Sequence, residues 1–347
     1  MSDYIQIYKK TKICYFFKIN SKQVFYNTFP NKIKNEDKNP APFLVFAFLI
    51  LALFFLKFQQ ISKSISSFLA IMWLMDKESL IIKAFENAKN GDDAAVVGKY
   101  CFSKDLFFEG VHFKRTWFDL EQIAYKAMLV NISDAIVMNA KAKYALLGLA
   151  LPKDISKVEL KALQKGFLRC AKKFQIQIIG GDTISSDNIA ISITLISKIR
   201  KKAVFRTGLK KGDLLAFTGK LGQGLQGLRA CEKGVRLDKN HRFVKPKLRQ
   251  NFFYSVASRL SCAMDISDGL SKDLSRMLQV NKLGLHWFLN LSDEELFSGE
   301  EYEVLFAFSP KHKEFIEKMA RKTHTKITIF GQAQKGRYEF RGKEHHF

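Results

Sequence analysis

Between residues 120 and 140 apolar residues recur in steps of three and four, at Ile123, Ala127, Val130 and Met138. That spacing predicts a helix with one core-facing stripe, opened by Asp119 as an N-cap. Asp134 falls within the same stripe, and Asn131 lies three residues before it. A carboxylate on a core-facing stripe is costly unless something pairs with it. A bond to neighbouring backbone or to a Lys would satisfy it, and so would a role in a site.

From residue 80 onward, short apolar runs alternate with amphipathic stretches. Further helices are predicted over 80–88, 156–174, 222–233, 248–260, 269–280 and 311–321. Strands are predicted over 94–97, 101–108, 144–151, 175–179, 189–199, 214–218, 262–266, 304–308 and 326–330. Strands that alternate with helices imply an α/β (α+β) layer structure. The basic break at 198–202 and the turn signal at 210–213 divide it near residue 203. The expected domains are 75–202 and 203–347.

Residues 1–74 read differently. They open Lys- and Asn-rich, then reach fourteen uninterrupted apolar residues from Phe43 to Leu56, extended to 58 if Lys57 snorkels. A membrane span needs about 20 residues, so this one is short. It also starts too late for a signal peptide. Eight Lys precede it, which would hold that flank in the cytoplasm and send everything downstream outside. The expectation is an extension dispensable to the folded part, with Met75 as a sufficient start and a cytoplasmic location. Membrane contact follows only if 43–58 is a genuine anchor.

Composition narrows the classes. The 347 residues are 47% hydrophobic, enough for real cores, and carry a net charge of +24. Residues 1–75 hold ten Lys against three acids, +7, so +17 is spread over the remainder. A spread excess suits anionic ligands such as nucleotides as well as solubility or loose nucleic-acid contact, and does not choose among them. The five Cys are scattered and contain no Cys-x-x-Cys pair, which argues against zinc knuckles and a disulfide framework. No P-loop and no Gly-x-Gly-x-x-Gly is present.

Acidic residues collect at the ends of predicted elements: Gly91-Asp-Asp93, Asp105, Asp134, Gly180-Gly-Asp182-Thr183 and Asp265-Ile-Ser-Asp268-Gly269. Each has an ordinary reading as a turn, a strand-ending bend or a helix cap. Five together in one α/β chain suggest carboxylates that converge on divalent cations, because Mg²⁺ takes carboxylate oxygens and bridges to substrate phosphates.

In this order the clusters resemble the thiamine-monophosphate kinase family of aminoimidazole-ribotide-synthetase-like ATP enzymes, over roughly residues 76–347. The pieces that carry the resemblance are Tyr125-Lys-Ala-Met-Leu-Val-Asn-Ile-Ser-Asp134, Ile179-Gly-Gly-Asp-Thr183, Asp265-Ile-Ser-Asp-Gly269 and Glu300-Glu-Tyr-Glu303, with Gly110-Val-His-Phe113 between the first clusters. The resemblance implies a two-domain fold of that type, with an N-terminal ATP/Mg-binding domain and a C-terminal α/β domain. It implies several Mg²⁺ ions on Asp93, Asp105, Asp134, Asp182, Asp265 and Asp268, with Ser103 at a further ligand position. It also implies ATP contacts from Gly181, Asp182, Arg206 and Ser267. Asp134, Asp182 and Arg206 would carry catalysis, and His112, Glu300 and Phe340 would contact thiamine monophosphate. A homodimer without nucleic acid is expected.

The chain departs from the family pattern at Lys89-Asn90, Lys104, Ser298-Gly299 and Leu248 of Pro246-Lys-Leu-Arg249. These departures bear on metal count and affinity more than on the reaction. The expected reaction is in-line phosphoryl transfer from ATP to thiamine monophosphate. The competing readings are a selenophosphate-synthetase-like enzyme, which would want a reactive Cys, and a non-enzymatic, membrane-tethered basic protein.

Overall fold

The helix read first from the sequence runs through the core. In the computed structural model, which describes the backbone of residues 5–6, 16–20, 23–27 and 77–338 and side chains from 81 to 338, it spans Leu120–Val137. Fifteen of its eighteen residues are buried, so the single apolar stripe expected of it is not what the structure shows. The reason is that polar Lys126, Asn131 and Ser133 are buried as well, Lys126 and Ser133 on a side the pattern had left for solvent. Asp119 does open it, within a capping box closed by Gln122.

The chain folds as two compact units, 1–75 and 76–347. In the first, β1 (Ile5–Gln6), β2 (Phe16–Asn20) and β3 (Gln23–Asn27) form an antiparallel sheet in that order. The apolar segment 43–58 and Phe340 lie outside the described residues. Among the described residues no helix is long and apolar enough to cross a membrane.

The second unit opens with helix α1 (Lys77–Ala84), followed by β4 (Ala95–Val97), β5 (Tyr100–Phe108) and the buried helix, α2. Next come β6 (Ala140–Leu151), α3 (Lys157–Phe174), β7 (Gln177–Ser185) and β8 (Ala190–Ile199). The strands order as β4-β5-β8-β6-β7, antiparallel except for the β6–β7 pair. A second sheet, β10-β12-β9-β13-β11, uses β9 (Leu214–Thr218), β10 (Leu260–Asp265), β11 (Gly284–Trp287), β12 (Val304–Phe308) and β13 (Ile327–Gln334). Its helices are α4 (Gln223–Glu232), α5 (Gln250–Val256), α6 (Leu270–Val280), α7 (Asp293–Phe297) and α8 (Lys313–Lys322).

Helix α2 packs on β5, β6 and β8 of one sheet and on β10 of the other. A helix covered on both sides leaves only Glu121, Gln122 and Asp134 partly open to solvent, which explains its composition. Strands alternate their side chains between faces, so β5 turns Cys101, Ser103 and Phe107 inward and exposes Tyr100, Phe102, Leu106 and Phe108. Tyr144, Leu146, Ile179 and Ile184 of β6 and β7 are exposed too, leaving an apolar array on this sheet.

Strand β7 corrects the sequence reading most sharply. It does not stop at Ile179 but runs through Gly180, Gly181 and Asp182 to Ser185, parallel to β6. A Cβ on Gly181 would sit 1.8 Å from the Leu147 carbonyl oxygen, and its φ of +154° is one that side chains rarely adopt. The glycine pair read as a bend lies inside a strand, and Gly181 marks a close approach of β7 to β6.

Candidate active site

Three elements meet at one point. The loop before β4 brings Asp93, α2 brings Asp134, and the end of β10 brings Asp265. One carboxylate oxygen from each lies within 4.8 Å of the others. On β5 the alternation that turns Cys101 and Phe107 inward gives Ser103 and Asp105 the same inward register. Burial and the neighbouring Asp93 charge raise the Asp105 carboxyl to about 6. Burial lifts Asp134 well above the ordinary carboxylate range, helped by Asp105, Asp265 and Asp93. Asp265 rises likewise, from burial and from Asp93, against a hydrogen bond from Ser133.

Two oxygens of the centre, Asp93 Oδ2 and Asp265 Oδ2, are buried without a protein partner, as are Ser103 Oγ on β5 and Asn131 Oδ1 on α2. Such atoms cost free energy unless a cation or donor fills the space between them. An all-oxygen set of this kind is what a hard divalent cation takes. The residues therefore fit a magnesium site.

Arg206 borders the centre. Its Nη2 donates to Asp93 Oδ1 at 2.7 Å, and its backbone N–H donates to Asp92 Oδ1 at 2.5 Å. Burial alone would lower the pKa of the guanidinium, but the Asp93 charge outweighs it and keeps Arg206 protonated. Asn281 fixes the loop: its Oδ1 accepts the N–H groups of Gly208 and Leu209 while its Nδ2 donates to the Arg206 carbonyl. Nothing in the sequence pattern singled out Asn281.

The 265–269 loop is held from behind. Asp273, fully buried on α6, accepts the backbone N–H groups of Ser267 and Asp268, both at 3.1 Å, and pairs with Arg276 at 3.0 Å. Burial, then the Asp268 charge, raises Asp273 to about 7. Asp268 itself pairs with Arg276 at 2.7 Å and Lys272 at 3.4 Å, and it does not cap α6, whose N-cap is Gly269. Thus Asp268, three residues after Asp265, is engaged with cations and is not among the three carboxylates that converge.

The 300–303 segment docks on this loop. Glu300 N–H donates to the Ser267 carbonyl at 2.7 Å and Tyr302 N–H to that of Ile266 at 2.8 Å. Glu300 and Tyr302 hold φ of +56° and +50°, uncommon for side chains larger than Gly. Glu300 Oε2 accepts from Lys126 Nζ at 3.0 Å, and its Oε1 is buried without a partner. Lys126 is 0% exposed, and its ammonium lies 4.1 Å from the Phe243 ring centroid, with Phe118 and Phe107 rings at 5.2 and 5.8 Å. Glu303 is clamped by Arg249 at 2.6 and 2.5 Å and accepts from Thr218 at 2.6 Å.

The remaining expected residues are more scattered. Gly181 and Asp182 lie exposed on edge strand β7, where Asp182 Oδ1 accepts the Thr183 N–H. His112 accepts the Phe108 N–H through Nδ1 and stacks near Phe107, 5.4 Å between centroids. Cys101 is fully buried, and burial with the nearby Asp93 charge pushes its thiol up to about 12, so it offers no thiolate nucleophile.

Known proteins share this organisation. The family model for AIR synthase related protein, N-terminal domain, matches residues 91–199. The chain is 32% identical over 280 residues to the thiamine-monophosphate kinase of Buchnera aphidicola subsp. Schizaphis graminum, covering 71% of this chain and 85% of that one. Against the thiamine-monophosphate kinase of Aquifex aeolicus it is 31% identical over 263 residues, 67% of this chain and 85% of the relative. A solved structure of AaThiL complexed with AMPPCP and TMP superposes with a TM-score of 0.66 at 27% identity, covering 75% of this chain and 90% of that one. A HypE–HypF complex chain reaches a TM-score of 0.64 at 18% identity, a likeness of fold alone.

Proposed function

We propose, from the premise that the chain belongs to the thiamine-monophosphate kinase family, a site-by-site account of how it phosphorylates thiamine monophosphate with ATP. The observation that carries the account is the convergence of Asp93, Asp134 and Asp265 within 4.8 Å, with oxygens left unpartnered inside the protein. Asp93, Asp134 and Asp265 would hold Mg²⁺, with Ser103 and Asp105 adjoining. When bound, Mg²⁺ supplies positive charge against the phosphate oxygens of ATP.

A phosphate oxygen of thiamine monophosphate attacks the γ-phosphorus of ATP as the bond to the β–γ bridging oxygen breaks, giving thiamine diphosphate and ADP. The attacking oxygen is already anionic, so no strong base is required, and the protein's work is alignment and charge balance. Arg206, kept charged by Asp93, contributes its guanidinium at the nucleotide edge. The Gly180-Gly181 strand lets phosphate approach backbone N–H groups beside Asp182, and the Asp273-held turn presents Ser267. Glu300, fixed by caged Lys126, faces the cationic ring system of the vitamin together with His112.

The exposed apolar array on β5, β6 and β7 supports a homodimer built through this sheet, since patches of that kind on a monomer are uncommon. The sequence boundary near 203 would then separate the nucleotide-binding domain, 75–202, from the domain 203–347.

Product analysis with thiamine monophosphate and γ-labelled ATP tests the reading. Label should appear in thiamine diphosphate with Mg²⁺ and vanish with EDTA. Label released only as inorganic phosphate would overturn it.

A further inference from the structure

A second feature lies away from the carboxylates. A cavity of about 770 Å³ opens between the middle of α2 at Leu129, the C-terminal end of α3, the start of β6, the 240–252 segment and the turn after α8. Six cations line it: Lys141, Lys173, Arg242, Lys245, Lys247 and Arg249. No Asp or Glu is among its lining residues, and none of the residues assigned above to metal, ATP or thiamine monophosphate lines it. Of the six, Arg249 has its charge answered by Glu303. Lys141 donates to Gln175 at 2.7 Å and Lys245 to Asn240 at 3.5 Å, both neutral acceptors.

Like charges gathered without counter-charge repel one another. The structure registers this at Lys245, whose ammonium is held below the usual lysine range by burial and then by Lys173, Arg169 and Lys239. Arg242 is depressed too, by burial first, with Arg249 adding to it against the attraction of Glu303 and Glu301. A multiply charged anion seated here would answer several of these cations at once. Amide and hydroxyl groups of Gln250, Asn251 and Thr323 supply neutral hydrogen-bonding partners on the same walls. The volume lies in the range of small-ligand pockets, and a concave site of this size takes a compact anion in preference to an extended strand.

We propose that this cavity binds the diphosphate group of a small molecule, at a site separate from the carboxylate centre. Lys ammonium groups act as point charges toward phosphate, so several would share one diphosphate. Three sources of that group can be told apart: inorganic pyrophosphate, ADP and thiamine diphosphate, the last two being products of the reaction proposed above. The cavity itself does not depend on that reaction, because its test needs no turnover.

Calorimetric titration of the full chain with pyrophosphate in EDTA tests it, since without divalent cations the clustered carboxylates repel the same anion. Saturable binding is expected, weakened at least tenfold by Lys173→Glu and by Lys245→Gln, and unchanged by Asp134→Asn. Lys173 is exposed, so its substitution leaves the fold intact, and a melting temperature within a degree or two of wild type checks this. ADP and thiamine diphosphate titrated in the same buffer identify the source by which binds more tightly. Absence of pyrophosphate binding, binding indifferent to both lysine variants, or binding lost in Asp134→Asn would each overturn the proposal. So would displacement of pyrophosphate by a single-stranded oligonucleotide at equal phosphate concentration.

Discussion

Replacing Asp134 by Asn should move stability and activity in opposite directions. Its carboxylate lies within 4.8 Å of those of Asp93 and Asp265, and at an effective dielectric of ~20 each fully ionised pair at that separation repels by about 3.5 kcal/mol. Proton uptake relieves part of this, because burial and the neighbouring acids already hold Asp134 and Asp265 high, and Arg206 offsets more. A net gain of about 1–3 kcal/mol for the metal-free protein remains once Asn removes one charge. For a chain of this size that corresponds to about 2–6 °C in melting temperature. Thermal unfolding in EDTA at pH 8 reads it directly. Adding Mg²⁺ and ATP should reverse the order, raising the wild-type melting temperature more than the variant's. Turnover in the coupled ADP assay should fall on the order of a hundredfold, the loss typical of removing one preorganised electrostatic contact from an active site. An Asp134 serving only as a structural partner would give the opposite pair of results. A variant that melts lower in EDTA and retains turnover would refute the reasoning.

Three further outcomes follow from the geometry. Asp273→Asn should gain on wild type as pH rises: Asp273 has a folded value of about 7 against an ordinary 3.8, so folding takes up a proton between them. Wild-type stability from this group is complete below about 4 and is lost as pH climbs through 7, which urea unfolding across pH 4–8 measures. Gly181→Ala should cost about 3 kcal/mol by urea unfolding, with Gly180→Ala milder, because a Cβ at 181 meets the Leu147 carbonyl at 1.8 Å whereas one at 180 meets only Leu146 Cδ2 at 3.5 Å. Lys126→Met should raise the KM for thiamine monophosphate about tenfold and spare that for ATP. The double variant with Glu300→Gln should be little worse than either single one, and additive losses would count against a shared role.

Much of this arrangement was legible in the chain. Strands Leu214–Thr218 and Val304–Phe308 were read to the residue, being short runs that are apolar but for Thr218 and bounded by polar residues or Gly. Asp119 announced its helix, because a capping side chain just before an apolar periodic run is a local signal. Asp93, Asp134 and Asp265 were recognised as candidates and do come together. What was missed depended on partners far along the sequence. Lys126 gave no sign that Phe107, Phe118 and Phe243 would enclose it or that Glu300, 174 residues away, would pair with it. Asp273 carries no local signal within its helix, yet it braces the loop bearing Ser267 and Asp268. β11 and α7 escaped because four or five residues carry too little periodicity to register. The expected end of β7 at Ile179 followed from treating paired glycines as punctuation, when a near approach to β6 was the actual demand.

The packing of α2 between the two sheets has a consequence for how the centre endures motion. Local opening releases the least-packed segments first, and amides in a helix packed in this way exchange with solvent only when the whole unit comes apart. Asp134 therefore rides on the slowest-exchanging part of the molecule, while its partners Asp93 and Asp265 sit where a loop and a strand end. Breathing of the surroundings alters access to the carboxylates without dislodging the one on the helix. The centre keeps a fixed post around which the more pliant ligands can adjust.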